Sequence, residues 1–406
     1  MALSIGVLSR YLHFRYLSRD LSAVAFISSA ASSPSATLSP SDPSALLTAK
    51  QKSRAALSLL KSETEPSRIL DICRAAALTP ASHLDRNALS SAISKLSSSK
   101  SYLFIRSLID DLLLSTKSPS PRSLSHAIVL FGQAGMLEDA LRTFRSHPSP
   151  RSLNSLLFSC VISKNHSELA KIFQEYPTTY GVTPNLETYN TVIKSFAESG
   201  TSRSFYSVFD EMLKRKIKPN MTTFCNAIEG FNREQRFDDV KNVLELMTKH
   251  DCHPGLTTYN VRIQGLCKLG KSEQAKELYL EMLKRKMKPS WVTYNHLIVG
   301  FCKEGNLEEA MKLFKRMRSG GYVAESGVYF TLINYLCKGG DFDAALEVCK
   351  DTMARNWVPC FTTMKMLVNG LANSSRLEEA KDLIEKLKEK FPKSVDMWNE
   401  VEGGLA

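Results

Sequence analysis

Four cations recur along the chain at equal steps of 35 residues: Arg233, Lys268, Lys303 and Lys338. A lone lysine is usually a solvated surface residue, whereas equally spaced cations on repeated elements can contact successive phosphates of a nucleic acid. The whole chain carries 53 Lys and Arg against 41 Asp and Glu, a formal charge of +12 that favours a polyanionic partner. We therefore expect the four cations, named the basic row from here on, to contact phosphates.

Other reactive side chains do not form a catalytic or metal site. Residues His250 to His253 crowd metal-capable atoms into one turn, but four consecutive residues cannot all point at one ion. The nine cysteines are odd in number and contain no CxxC pair, which argues against a disulfide scaffold and a zinc ribbon. There is no GxxxxGK[ST] phosphate loop and no Ser, His and Asp set. We expect no enzyme activity, no metal and no cofactor.

The basic row belongs to an internal repeat. Prolines, aromatics, glycines and cysteines follow the same 35-residue step, as in Pro184, Pro219, Pro254 and Pro289, or Tyr189, Phe224, Tyr259, Tyr294 and Tyr329. In unit 291–325, apolar residues from Tyr294 to Phe301 share one helical face, and Gly305 is expected to end that helix in the left-handed conformation. A second apolar stripe runs from Leu307 to Met317. Each unit therefore predicts two antiparallel helices that must stack on their neighbours, an all-α solenoid.

The repeat divides the chain into segments. Regular units span 150–185, 186–220, 221–255, 256–290, 291–325 and 326–360, with a short unit 121–149 before them and a divergent one from 361 to about 395. Residues 121–395 thus form the predicted array. Residues 46–120 predict a helical cap of degenerate repeats, with helical pairs over 50–78 and 82–120, and residues 396–406 a C-terminal tail.

Residues 1–45 differ in composition from the remainder. They are rich in serine, carry Arg10, Arg15 and Arg19, and contain only two acidic residues, Asp20 and Asp42. This composition is typical of an organellar transit peptide, and the amphipathic spacing of the arginines favours the mitochondrion. The Ser/Pro-rich stretch 31–43 is the expected linker. No run of 18 apolar residues occurs, so we predict no membrane-spanning helix.

The units resemble pentatricopeptide repeats of the P class. The resemblance rests on "TYNTVIKSFAESG" (188–200), "TYNVRIQGLCKLG" (258–270), "TYNHLIVGFCKEG" (293–305) and the closing "KRKIKPN" and "KRKMKPS" (214–220 and 284–290). The Trp-x-x-Leu-Gly signature of tetratricopeptide repeats is absent. Segments outside the consensus, such as "NWVPCF" (356–361) and "DMWNEVE" (396–402), resemble short plant pentatricopeptide proteins of the mitochondrial ribosome small subunit. The resemblance implies a right-handed α-solenoid superhelix whose first helices line a basic groove for RNA.

The resemblance also implies that the fifth and last residues of each unit read one base. These pairs are Asn154 with Asn185, Asn190 with Asn220, Cys225 with Gly255, Asn260 with Ser290, Asn295 with Glu325, and Phe330 with Cys360. The base-facing candidates are therefore Asn154, Asn185, Asn190, Asn220, Asn260, Ser290 and Asn295. The Cys/Gly and Phe/Cys pairs cannot pair with a base edge, and only Val292 matches the apolar wedge expected at the second position. The alternative for each asparagine is a capping or inter-repeat hydrogen bond.

Three functions remain in competition. The incomplete base-reading pattern, the basic row and the chain-wide resemblance favour a structural component of the mitochondrial ribosome small subunit, in the matrix. It would hold rRNA by backbone and shape, contact mRNA and ribosomal proteins, and be monomeric within the larger ribonucleoprotein. The alternatives are a free factor that binds one transcript and a protein-interaction scaffold of helical repeats.

Overall fold

The computed structural model describes residues 48–80, 82–114, 119–323, 325–355, 357 and 360–405. Within those ranges the chain forms 21 α-helices and no β-strand. The predicted transit peptide and linker, residues 1–45, lie outside the described residues. No helix in the described ranges is both long enough and apolar enough to cross a membrane. The described residues fall into two compact units, one ending at Gly230 and the other beginning at Phe231.

The first unit contains the N-terminal helices. They are α1 (Ala49–Ser62), α2 (Pro66–Ala75), α3 (His83–Ser98), α4 (Tyr102–Leu114), α5 (Pro121–Gln133), α6 (Leu137–Ser146), α7 (Pro150–Ile162), α8 (His166–Thr179), α9 (Leu186–Ser199), α10 (Ser204–Lys214) and most of α11 (Met221–Arg233). Helices α1 and α2 are the pair predicted over 50–78. Helices α3 and α4 lie in the predicted degenerate copy over 82–120.

The second unit contains the end of α11 and the helices that follow. They are α12 (Phe237–Lys249), α13 (Leu256–Lys268), α14 (Ser272–Lys284), α15 (Trp291–Lys303), α16 (Leu307–Ser319), α17 (Ser326–Lys338), α18 (Phe342–Ala354), α19 (Phe361–Asn373), α20 (Leu377–Lys390) and α21 (Val395–Gly403). The division between the units therefore falls inside α11, within the segment predicted as one array.

Consecutive helices pair and the pairs stack within each unit. In the second unit α13 packs on α14 and on α15, α15 packs on α16 and α17, and α17 packs on α18 and α19. In the first unit α5 packs on α6 and α7, and α7 on α8 and α9. The first helices of successive repeats therefore lie side by side, which confirms the all-α solenoid of antiparallel helix pairs.

The five repeats between residues 186 and 360 each bury an aromatic residue at the fourth position. The fourth residues of the units, Tyr189, Phe224, Tyr259, Tyr294 and Tyr329, are all buried. The repeated cysteines Cys267, Cys302 and Cys337 are buried too, as small interior thiols. Burial raises the pKa of the Cys302 thiol to about 12, so this sulfur stays protonated and unreactive near neutral pH.

Two glycines of unit 291–325 have different structural roles. Gly305 follows α15 with φ of +79°, which confirms the predicted left-handed helix end. Gly300 lies within α15, where an added Cβ would come 2.6 Å from Ser272 Oγ and 2.7 Å from Cys267 Sγ. Because a real Cβ cannot approach that closely, only glycine allows α15 to pack this tightly on the preceding repeat.

The C-terminal segment predicted as a tail contains α21. Trp398 and Val401 of this helix are buried, and the Trp398 ring lies 4.9 Å from the Phe361 ring, centroid to centroid. These side chains pack against the two helices of the preceding repeat, α19 and α20.

Candidate nucleic-acid interface

Each first helix is buried on most sides and keeps one accessible face. On α15 the accessible positions are Val292, His296 and Val299, which are half-buried, and Lys303, which is exposed. Their spacing of three to four residues places them on one side of the helix. The same positions of the neighbouring first helices form a continuous strip, because these helices pack side by side.

The basic row lies at one end of this strip in the second unit. Arg233, Lys268, Lys303 and Lys338 are the last residues of α11, α13, α15 and α17, and all four are exposed. A cation at this position also interacts favourably with the C-terminal end of the helix dipole. The Lys338 ammonium lies 5.3 Å from the centroid of the Tyr335 ring.

In the repeats of the first compact unit, the thirteenth position is not occupied by a cation. There the residues are Gln133, Ile162 and Glu198. Gln133 bonds to Ser90, Ile162 is exposed, and Glu198 lies 3.8 Å from the Lys194 ammonium. The regular row of cations at this position therefore runs from Arg233 to Lys338, and the last repeat has Asn373 there.

The structure brings three of the predicted base-reading pairs into contact. The Asn154 amide donates to Asn185 Oδ1 at 3.1 Å, and the Asn190 amide donates to Asn220 Oδ1 at 3.3 Å. The Asn260 amide donates to Ser290 Oγ at 3.4 Å. In each pair the last residue of the unit also precedes the next first helix and accepts a hydrogen bond from its backbone.

A threonine from the next repeat completes each pair. Thr188 Oγ1 donates to Asn154 Oδ1 at 2.6 Å, Thr223 to Asn190 at 2.6 Å, and Thr293 to Asn260 at 2.7 Å. All three threonines are fully buried. In this arrangement the fifth and last residues of one repeat bond to each other, and the fifth also accepts from the third residue of the next repeat. We call it the Asn–Thr clasp. It is the inter-repeat hydrogen bond that was the alternative to base reading.

The clasp uses much of the hydrogen-bonding capacity of each amide. An asparagine side chain has two N–H donors and two acceptor lone pairs. Asn154 uses both N–H groups, because its amide also donates to Glu187 at 3.1 Å. Asn190 and Asn260 each use one side-chain N–H and one lone pair in the clasp. These two asparagines therefore retain the capacity for a further contact, and Asn154 retains only a lone pair.

The clasp is broken at Asn295. The residue 33 positions later is Val328, where the three clasps have threonine, so the hydroxyl donor is missing. Asn295 Oδ1 is buried without a hydrogen-bond partner, and Glu325 precedes α17 without a side-chain capping bond. The predicted pair Asn295 with Glu325 therefore lacks the arrangement of the three pairs above.

The remaining two pairs supply no amide. Cys225 is buried within α11, and Gly255 precedes α13 without a side chain. Phe330 lies half-buried on α17, and Cys360 is exposed before α19.

A second repeating contact was not anticipated from the sequence. The tyrosine at the fourth position donates to a carboxylate on the second helix, which an arginine four residues later also contacts. The sets are Tyr189, Glu211 and Arg215; Tyr259, Glu281 and Arg285; and Tyr329, Asp351 and Arg355. Burial and the Asp351 carboxylate raise the pKa of Tyr329 to about 12. The recurrence of Glu or Asp 22 residues after Tyr was the available signal, and these contacts join the two helices of one repeat.

The basic runs at 214–218 and 284–288 begin at the last residues of α10 and α14. Arg215 and Arg285 belong to the tyrosine–carboxylate–arginine sets, whereas Lys214, Lys216, Lys284 and Lys286 are exposed. No group of three or more His, Cys, Asp or Glu side chains in the described residues is arranged to hold a metal ion.

Comparison with known proteins gives family matches over half of the chain. Models described as PPR repeat family match residues 184–233 and 254–302, PPR repeat matches 292–322, 329–356 and 362–390, and pentatricopeptide repeat domain matches 151–199. A mitochondrial pentatricopeptide repeat-containing protein of Arabidopsis thaliana is 53% identical over 367 residues, which cover 88% of this chain and 91% of that protein.

More distant relatives include ribosomal proteins. The Arabidopsis small ribosomal subunit protein mL103 (rPPR7) is 30% identical over 165 residues, covering 39% of this chain and 40% of that protein. The crystal structure of PPR10 from maize aligns with a TM-score of 0.49 at 20% identity, covering 85% of this chain and 49% of that one. The chain thus spans about half the length of that structure and less than half of mL103.

Proposed function

The chain belongs to the pentatricopeptide repeat family, and we propose that it is an RNA-binding protein of the mitochondrion. The observation that carries this proposal is the basic row, whose four exposed cations end four successive first helices. Lys268, Lys303 and Lys338 follow one another on helices that pack side by side, as a single-stranded backbone would require. Nothing equivalent occurs at the thirteenth position of earlier repeats, so the RNA contact begins at Arg233.

RNA is held mainly by its phosphates in this proposal. Three of the predicted base-reading pairs are engaged in the Asn–Thr clasp, and two others have no amide. A base edge would have to compete with these internal hydrogen bonds or use the capacity that remains on Asn190 and Asn260. Affinity should therefore depend more strongly on salt concentration than on base sequence.

We further propose that the protein acts in the mitochondrial matrix as a component of the ribosome small subunit. Its relatives include proteins named for the small ribosomal subunit, mL103, mS78 and mS79, and one named as mitochondrial at 53% identity. Its partners would be rRNA, mRNA and ribosomal proteins, with one copy in each ribonucleoprotein. A free factor for one transcript is the competing proposal, supported by the unused hydrogen-bonding capacity of Asn190 and Asn260.

The RNA proposal is tested by replacing all four cations of the basic row with glutamine. Each lost phosphate contact should lower the slope of log K against log salt by about 0.7 for single-stranded RNA. The matched control replaces four exposed lysines of second helices, Lys241, Lys312, Lys381 and Lys386, which changes the net charge equally. A slope that falls equally in both variants, or in neither, would remove the basic row from the interface.

The ribosomal proposal is tested by sedimentation of the endogenous protein from mitochondrial lysates. Co-migration with the small subunit that persists after puromycin treatment supports it, whereas migration as a small particle supports the free factor.

Targeting to the mitochondrion is tested separately. Deletion of residues 1–45 should abolish import into mitochondria and leave the helical circular dichroism unchanged, and continued import of the shortened protein would contradict the transit-peptide assignment.

A further inference from the structure

The second compact unit carries a further group of exposed cations at the end of its helices opposite to the basic row. Lys284, Lys286 and Lys288 lie where α14 ends and the chain leads into α15, and Arg316 lies on the next second helix, α16. We call these four residues the second basic edge. We propose that it binds the backbone of a second RNA segment, so that this part of the chain joins two segments of one folded RNA. This inference rests on the proposed RNA-binding function and adds a second RNA surface to it.

The three lysines of the second basic edge carry charges that the fold does not neutralise. All three are exposed, and none of them forms an ion pair with another described residue. The nearest carboxylate along α14 is Glu281, which accepts a hydrogen bond from Tyr259 at 2.8 Å and lies 2.8 Å from the Arg285 guanidinium. Because Arg285 already balances this carboxylate, the positive charge of the lysines remains available to a partner.

Lys286 occupies a backbone position that favours glycine. Its φ is +56°, in the left-handed region, and the equivalent residues of two other repeats are Gly181 and Gly321, with φ of +62° and +76°. A side chain in this region costs stability that glycine does not. The fold itself would therefore be better served by glycine, and the charge of Lys286 points to a contact outside the chain.

Arg316 adds a cation where neighbouring repeats have an acidic residue. The residue 22 positions after the fourth-position tyrosine is Glu281 in the preceding repeat and Asp351 in the following one, but Arg316 in unit 291–325. Arg316 is exposed, and its guanidinium lies 5.6 Å from the centroid of the Tyr279 ring on α14. Because Tyr279 lies five residues, or about 7.5 Å, before Lys284 on that helix, the arginine extends the positive surface of the lysines.

The basic row and the second basic edge lie at opposite ends of the same helices. Lys288 precedes α15 and Lys303 ends it, and the 13 residues of this helix span about 20 Å. An RNA strand that follows the basic row runs from one first helix to the next, across the helix axes, and so stays at the Lys303 end. Phosphates at Lys288 must therefore belong to another strand or to a distant part of the same RNA.

An aromatic side chain at this edge favours RNA over a protein as the occupant. Lysine is depleted in protein–protein interfaces, whereas basic surfaces with interleaved aromatic residues bind nucleic acid. Trp291, three residues after Lys288, is half-buried and has no ring or hydrogen-bond partner among the described residues. It lies off the accessible strip of α15, because Val292 and His296 belong to another side of the helix. A base whose phosphate contacts Lys288 can stack on this indole.

The test asks whether the full chain holds two RNA molecules at once. Two short RNAs of unrelated sequence, one with a donor dye and the other with an acceptor, are mixed with the protein, and energy transfer reports their joint binding. The triple substitution Lys284→Gln, Lys286→Gln and Lys288→Gln should weaken binding of the second RNA by about tenfold or more and leave one RNA bound. The slope of log K for the second RNA against log salt should fall by about 2, since three contacts of about 0.7 each are lost.

Two further variants separate charge from folding. Lys286→Gly should weaken the second RNA without lowering the urea midpoint of unfolding, because glycine tolerates the left-handed backbone. The matched control replaces three exposed lysines of other second helices, Lys241, Lys381 and Lys386, with glutamine, and should retain energy transfer at the same net charge.

Indole fluorescence locates the second RNA. Binding of this RNA should quench Trp291, and Trp291→Phe should remove the quench. The chain has only two other tryptophans, Trp357 and Trp398, whose rings pack against Tyr329 and Phe361.

The possible outcomes distinguish this proposal from the RNA-binding proposal. Energy transfer that survives the triple substitution would overturn the second basic edge and leave RNA binding standing. Loss of all RNA binding in that variant would show that both sets of cations hold one strand, which also overturns it. Loss of association with a ribosomal protein, with energy transfer unchanged, would make the edge a protein contact. Absence of any RNA binding by the natural sequence overturns both proposals.

Discussion

The Asn–Thr clasp predicts one destabilising and one stabilising substitution, because adjacent repeats contain an intact and a broken copy of it. Thr293 is fully buried, donates to Asn260 Oδ1 at 2.7 Å and accepts from the Ser290 backbone N–H at 3.0 Å. Thr293→Val keeps the shape and removes both hydrogen bonds. Val328→Thr would restore the missing hydroxyl opposite Asn295, whose Oδ1 is buried without a donor.

The two substitutions should change the free energy of unfolding in opposite directions. Removal of a partner from a buried polar group costs about 1–3 kcal/mol, and Thr293→Val leaves two groups without their hydroxyl partner, so we expect a loss of about 2–4 kcal/mol. Val328→Thr gains a hydrogen bond of about 1 kcal/mol and satisfies Asn295, against the cost of burying a hydroxyl in place of a methyl group. We expect a net gain of about 0.5–1 kcal/mol.

The assay is urea unfolding followed by circular dichroism, with hydrogen exchange to resolve individual repeats, because repeats contribute locally to solenoid stability. Protection should fall in α13 and α15 for Thr293→Val and rise in α15 and α17 for Val328→Thr. The reasoning is refuted if Thr293→Val costs less than about 0.5 kcal/mol, the range of an ordinary surface substitution. A destabilising Val328→Thr would show that Asn295 does not occupy the position of Asn260.

Three further predictions concern packing, base reading and pH. Gly300→Ala should lower the free energy of unfolding by about 1–3 kcal/mol through overpacking against the preceding repeat, whereas Gly327→Ala, with open space around it, should be neutral or stabilising in the same urea assay. Asn190→Ala and Asn260→Ala should each change RNA affinity by less than about 1 kcal/mol, and loss of the basic row should cost more than both together; a selection from random RNA that returns one motif lost in either variant would contradict this. Burial lowers the pKa of His126 to about 4, and the unfolded chain binds that proton at about pH 6.5, so stability should fall as pH drops through this window by up to about 3 kcal/mol. His126→Phe should flatten that part of the pH profile, and an unchanged profile would show that another group is responsible.

The fold could be predicted from the sequence because the repeat is visible in the order of the residues alone. Each 35-residue unit repeats the same apolar stripes, so a helix that is ambiguous in one repeat can be assigned from the equivalent residues of the next. Helices such as α15 and α16 follow directly from the spacing of Tyr294 to Phe301 and of Leu307 to Met317. Helix ends marked by Gly305 were predictable for the same reason. The helix formed by Trp398 and Val401 was missed, because a single short segment after the last repeat has no second copy to compare with.

The candidate site was predictable only in part. The positions of the basic row follow from the period, and the sequence places all four cations at equivalent positions before any contact is known. The Asn–Thr clasp depends on the distance between first helices of adjacent repeats, which sequence spacing alone does not give.

The sequence by itself determined the all-α repeat, the family and the row of cations, because period, apolar stripes and charge at a fixed position are properties of residue order. The tertiary structure alone decided which polar groups are satisfied. Residue order places a threonine 33 positions after Asn260 and a valine 33 positions after Asn295. Only the close approach of two first helices brings the Thr293 hydroxyl within 2.7 Å of the Asn260 amide oxygen and leaves the Asn295 oxygen without a donor. That approach is set by side-chain volume at contacts such as Gly300 against Cys267, and it exists only once the repeats are stacked.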